Sequence, residues 1–184
     1  TLTANATTAV NVNATISDNN GCTDIAAAGA TTTIMIYRSA ITSSTCLTTA
    51  DDLNCYSLTA FTASSTCAAN SVNTTTTFAV QYFAQATDAS SSFGAQNWIA
   101  TVIFKDPQNA SGVRDSAGVE LLTLTALNVT TSSINYGTLS ASSTSGATNQ
   151  NATGTNAGNS TTTLQLSAQS TLTKGADSIA TSSQ

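Results

Sequence analysis

Histidine is absent from this sequence, proline occurs once, at Pro107, and glutamate once, at Glu120. Without imidazole there is no His-activated serine or cysteine nucleophile, and most transition-metal sites are lost as well. The scarcity of proline leaves long strands uninterrupted. Charged residues make up only 7% of the 184, against about 25% in an average soluble domain. Four are basic and the net charge is −5, which argues against nucleic acid and anionic lipid as partners. No apolar run approaches the length of a membrane-spanning helix, so no membrane insertion is expected. Neither a phosphate-binding glycine loop nor a GxSxG elbow occurs. A Ser or Thr activated by Lys105 or Lys174 is the residual catalytic option. The expectation is a protein that is not an enzyme and takes no cofactor.

What is abundant is Thr, Ser and Asn, set among 40% hydrophobic residues. In the opening stretch TLTANATTAVNVNATIS, Leu2, Ala4, Ala6, Val10, Val12, Ala14 and Ile16 fall on even positions, and polar residues fill the odd ones except at Thr8 and Ala9. Alternation of this kind is the mark of a strand with one apolar and one wet face. Fully extended, the stretch would span about 55 Å, much longer than a usual strand.

Further strands are expected at residues 30–39, 55–61, 77–86, 97–106 and 119–130. The centre of the first, Ile34, Met35, Ile36 and Tyr37, is apolar on both faces and suits a central strand buried on both sides. The same holds for the centre of 119–130. Turns are expected at SDNNGC and DPQNASG. Nine of ten aromatics lie between Tyr37 and Phe104, and no cysteine follows Cys67. The rear of the chain is Ser/Gly/Asn-rich, yet Leu124, Leu127, Val129, Ile134, Tyr136, Leu139, Leu164, Leu166, Leu172 and Ile179 are spaced as short strands. The fold class expected is therefore all-β. Residues 1–9 form an N-terminal donor strand, 10–122 a disulfide-containing sandwich, and 123–184 a small sandwich that is incomplete.

Four cysteines, Cys22, Cys46, Cys55 and Cys67, share one third of the chain with no zinc spacing and no histidine. They read as two disulfides formed in an oxidising compartment, against the alternative of four buried thiols. Three pairings are possible. The short CLTTADDLNC loop favours Cys46–Cys55, with Cys22–Cys67 as the longer staple. Seven Asn-X-Ser/Thr sequons are glycosylation candidates: Asn5, Asn13, Asn73, Asn109, Asn128, Asn151 and Asn159. Together with a start at Thr1 that carries neither Met nor signal sequence, they suggest a processed chain at the cell surface or outside the cell.

Asp18, Asn20 and Asp24, or Asp51, Asp52 and Asn54, are weak calcium candidates. Asp and Asn satisfying their own turns is the commoner role, so no metal is assigned. An isopeptide crosslink through Lys105 or Lys174 needs a neighbouring acid that sequence does not place. The TTTT run at 74–77 is too short to make a regular ice-binding array.

The rear run INYGTLSASSTSGATNQNATGTNAGNSTTTLQLSA resembles the Ig-like repeats of secreted prokaryotic surface and filament proteins, bacterial or archaeal. Ile134, Tyr136, Gly137 and Leu139 match an I-x-[FY]-G-x-[LV] opening. Asn156, Gly158 and Asn159 match the N-x-G-N turn. The upstream DNNGC…IYRS…C…C-Y…C…W-x-A-x-V pattern is similar to cysteine-stapled surface domains that accompany such repeats. The resemblance implies an extracellular Ig-like sandwich and no catalysis, and with the domain division above the expectation is two Ig-like sandwiches. Familiar repeats continue with further strands, whereas this sequence ends at Gln184.

A segment of about sixty residues without a disulfide buries only about 60% of its surface and is marginal alone. The front has strand to spare and the rear lacks one. Donor-strand complementation would reconcile the two: residues 1–8 would donate Leu2, Ala4 and Ala6 to the rear sheet of another copy, and 10–17 would begin the chain's own first domain. Head-to-tail contacts of that kind build a homopolymer. The expected function is a structural subunit of a pilus-like or sheath-like extracellular filament, and the alternative is a monomeric surface binding or adhesion module or S-layer component. A single bent strand over residues 1–16 is the competing local reading.

Overall fold

The computed structural model describes residues 1–58, 69–131, 133–134, 151–165, 172–174 and 177–179. Strand predominates over helix, in several sheets. Strand β1, Thr7–Ser17, pairs antiparallel with β4, Ser71–Gln81, over the full length of both, from Thr7↔Gln81 to Ser17↔Ser71. A second sheet has the order β3-β2-β5-β6, from Cys55–Leu58, Thr31–Arg38, Trp98–Lys105 and Ser111–Asp115. Two short helices, α1 at Cys22–Ile25 and α2 at Ser43–Thr48, were not expected from the sequence. Short ladders join β7, Leu127–Val129, to β8, Gly154–Asn156, and β9, Leu172–Lys174, to β10, Asp177–Ile179.

The alternation in β1 is realised residue by residue. Val12 and Ile16 are buried, Val10 and Ala14 half-buried, and odd residues 7–17 exposed. Val12 joins Phe78 and Val80 of β4, Ile34 and Ile36 of β2, Tyr56 of β3 and Trp98 of β5 in one core. The β1–β4 ribbon therefore lies face to face with the larger sheet. Strand β2 sits between β3 and β5, as its doubly apolar centre predicts. Its other face places Met35 and Tyr37 against Cys46 and Cys55. The Cys46–Cys55 disulfide, Cα–Cα 5.6 Å, ties α2 to the start of β3 and covers that face. Cys22 is also disulfide-bonded; Cys67 lies outside the described residues.

Several expected elements shift. The strand expected at 77–86 begins at Ser71 and stops at Gln81. Thr74 and Thr76 of the TTTT run point inward and are buried, with hydroxyls that have no hydrogen-bond partner among the described residues. Residues 120–126 run outside any named strand; Val119 bridges Trp98 and only 127–129 join a ladder. Strand β6 was not expected, because Ser111–Asp115 is exposed throughout and carries no alternating signal.

At the expected boundary between residues 122 and 123 the chain continues to pack on the front core. Leu121 and Leu124 both lie against it. The Thr123 hydroxyl and backbone N–H donate to Asp88, at 2.6 and 3.1 Å. These bonds, the hydroxyl first, hold the Asp88 carboxyl below its ordinary range. Asn159 accepts from Leu124 N–H at 2.6 Å and donates to the Ala84 carbonyl at 2.9 Å.

Candidate functional site

Among the described residues strand β1 is hydrogen-bonded along one edge only. Beyond β4, no strand pairs with it among the described residues. Its eleven residues carry no charge and no proline. An edge of that kind is a template for another strand, and natural proteins usually blunt it with lysine, proline or a bulge.

Beside this edge, β1 and the β5–β6 side of the larger sheet enclose an open cleft of about 890 Å³. One wall is β1 from Val12 to Ser17. Ala100, Val102 and Phe104 of β5, all half-buried, form an apolar floor. The far wall is β6, where Gly112 pairs with Phe104 and Arg114 with Val102. A Cβ built on Gly112 would meet nothing within 4 Å, so the space above it is open.

Three carboxylates around the cleft are already engaged, whereas Arg114 of β6, which also lines it, is exposed and unpaired among the described residues. Asp18 Oδ1 accepts from Asn20 N–H at 2.7 Å, and Asp106 Oδ1 from Ala110 N–H at 2.7 Å. Asp115 Oδ1 accepts from the Thr101 hydroxyl at 2.5 Å, which in turn contacts the Tyr37 hydroxyl at 2.8 Å. These are turn-closing and sheet-locking bonds. The cleft thus offers backbone groups, apolar surface and one free guanidinium.

The expected donor residues lie elsewhere. Leu2 is 5% exposed and packs into the core of its own chain. Ala4 and Ala6 are exposed. The chain turns at Asn5, whose φ of 53° is left-handed, and Ala6 N–H bonds the Thr3 carbonyl. The period-two pattern of residues 2–6 is therefore not one strand face, since the turn separates Leu2 from β1. Asn5 N–H donates to the Ala157 carbonyl at 3.0 Å, so the front segment does touch the rear one, within a single chain.

The outer face of the β1–β4 ribbon is a polar ladder. The hydroxyls of Thr15, Thr75 and Thr77 donate to Asn73, Asn13 and Asn11 respectively, each at 2.7 Å. Asn13 and Asn73 thus lie exposed on one face. Asn5, Asn109 and Asn151 are exposed as well, and Asn128 is half-buried in β7. Asn159 is different: its amide nitrogen donates to Ala84 and Leu122 carbonyls and its oxygen accepts from Leu124, which leaves no free amide for a glycan in the folded chain.

Of the calcium candidates, Asp18 and Asp51 accept from the backbone N–H groups of Asn20 and Asn54, each closing its own turn. Asp24, Asp52 and Asn20 gather no acidic cluster around them; among the described residues no group of three or more His, Cys, Asp or Glu comes together. Lys105 ends β5 and is exposed, and the Lys174 side chain lies outside the described residues.

The core adds two residues that sequence did not single out. The Tyr56 hydroxyl donates to the Asp52 carbonyl at 2.6 Å and accepts from Gln81 N–H at 2.9 Å; burial first, and nearby acids, push its pKa to about 12. Arg38 is buried, its guanidinium 3.8 Å from the Phe93 ring centre and bonded to Asn54 and Gln96.

No family model matches this chain, and neither a curated protein nor a solved structure does. Among the described residues no helix is long and apolar enough to cross a membrane.

Proposed function

We propose that the chain is a structural subunit of an extracellular filament, pilus-like or sheath-like, whose copies join head to tail by strand addition. On this reading its β-layers belong to Ig-like sandwiches and it performs no catalysis. The observation that carries the proposal is the unprotected outer edge of β1: eleven residues, uncharged, with no pairing partner among the described residues. Strand addition to such an edge gains backbone hydrogen bonds and buries alternate side chains. The rear segment supports the same reading. Leu127, Val129, Ile134 and Leu164 are all more than 40% exposed, as expected of apolar surface that another chain covers. The buried Cys46–Cys55 disulfide fits an oxidising compartment.

A second reading, a monomeric surface module, is favoured by one observation. Leu2 already occupies a site in its own core. The two readings differ in mass. The purified chain, followed by light scattering over a range of concentrations and imaged by electron microscopy, is expected to grow into fibres. A monodisperse monomer at every concentration, with its disulfides intact, refutes the filament and leaves the surface module.

A further inference from the structure

We infer that the cleft between β1 and β5–β6 is the acceptor site, and that its occupant is the segment 1–8 of a second copy of this chain. The inference rests on the filament reading above and gives it an address different from the rear sheet. The size of the opening is the first argument. One strand of six residues, matching Val12–Ser17, occupies about 950 Å³ in a pair of packed sheets, from ~3.3 Å rise, ~4.8 Å strand spacing and ~10 Å sheet spacing. The cleft holds about 890 Å³. The opening is large enough to admit one strand.

The floor supplies the second argument. Ala100, Val102 and Phe104 sit at every second position, as do Leu2, Ala4 and Ala6. Leu2 over Ala100, Ala4 over Val102 and Ala6 over Phe104 pairs large with small at both ends, which close packing between sheets requires. The segment has no charged side chain to bury. Reach is the third. Thr3 N–H bonds the Thr8 hydroxyl, so the chain's own first residues fold back against the beginning of β1. They enter β1 at Thr7 and cannot also lie beside residues 12–17. The donor must come from another molecule. Its withdrawal from its own core breaks the backbone hydrogen bond from Asn5 to Ala157 and the end pairings of the β1–β4 ladder, Thr7↔Gln81 and Thr8↔Val80, and exposes Leu2. In the cleft it gains a ladder along β1 and buries Ala4 and Ala6 too.

Gly112→Phe tests this. A Cβ at Gly112 meets nothing within 4 Å, and the added ring enters the cleft from β6 opposite Phe104. Circular dichroism and thermal melting check that the variant folds as the wild type does. Light scattering then reports assembly, and fluorescence anisotropy reports binding of a labelled, acetylated peptide TLTANATT. The expected result is assembly of the wild type, at least tenfold weaker peptide binding by the variant, and loss of its assembly. If the wild type and the variant assemble equally well, the filament reading survives and the cleft assignment is overturned. If the wild type stays monomeric, the filament reading fails, and the peptide decides the cleft: binding abolished by Gly112→Phe supports the site, and absence of binding to the wild type overturns it. Should the variant misfold, Gly112→Leu and Val102→Phe replace it in the same two assays, and retained peptide binding by both overturns the assignment.

Discussion

Leu2→Ala distinguishes a docked N-terminal segment from a free one. Leu2 is 5% exposed and sits among Val12, Ile36, Phe78, Ala84 and Trp98 in the main core. Burying a leucine side chain is worth about 1.5–3 kcal/mol, and truncation inside a rigid core costs about 2–5 kcal/mol once the cavity is included. Here the residue lies on a short arm before β1 held by one long-range backbone bond, from Asn5 to Ala157. The arm can adjust, so the lower end applies, about 2 kcal/mol. With a urea m-value of about 1–3 kcal/mol/M, the midpoint should fall by roughly 1 M. Ala4→Ser, at an exposed position, is the control and should stay within about 0.5 kcal/mol. Urea unfolding followed by tryptophan fluorescence suits the purpose, because Trp98 belongs to the same core. A Leu2→Ala change below about 0.5 kcal/mol in dilute protein would refute the cis docking. If the loss grows with protein concentration, Leu2 is contributing between molecules.

Other expectations follow from the buried interior. Replacing Cys46 and Cys55 by Ser opens a loop with a sequence separation of 9; the chain-entropy estimate for such a loop is about 2.5–3 kcal/mol, read as a lower melting temperature, and an unchanged melt would mean that the bridge does not constrain the unfolded chain. Thr76→Val should stabilise by about 1 kcal/mol or more, because it removes a buried hydroxyl without a partner; destabilisation would reveal a hydrogen bond to buried water. Tyr56 gives a pH dependence of definite sign. Its folded pKa, about 12, exceeds its ordinary value of 10.0, so the folded state holds the phenolic proton more tightly. The stability is intact below about pH 10 and is lost as pH rises toward 12. The loss is about 1–2 kcal/mol after allowance for solvent screening. Tyr56→Phe should flatten that slope, and an unaltered alkaline unfolding curve would contradict the assignment.

Alternating sequence was informative wherever a strand is wet on one face. Val10, Val12 and Ile16 turned inward as their spacing requires, and Asn11, Asn13 and Thr15 outward. The doubly apolar centre of β2 marked a central strand for the same reason, and the nine-residue separation made Cys46–Cys55 the natural pair. The pattern misled at both ends of that logic. Leu2, Ala4 and Ala6 keep the period of β1, but a turn at Asn5 breaks the strand, and a period of two cannot register one left-handed residue. The TTTT run shows no alternation to assign its faces, yet the register of Thr74 and Thr76 opposite Ala14 and Val12 turns them inward.

The cleft was not legible at all. It arises from pairings distant in sequence, β1 with β4 and β2 with β5, which leave β1 and β6 as outer strands bordering one opening. Local composition determined that this chain forms strands, which faces of them are apolar, and that no imidazole takes part in its chemistry. Which edges meet and which remain open was decided only by the tertiary structure, because a strand's own residues specify its faces, while its neighbours are chosen by the packing of the whole core.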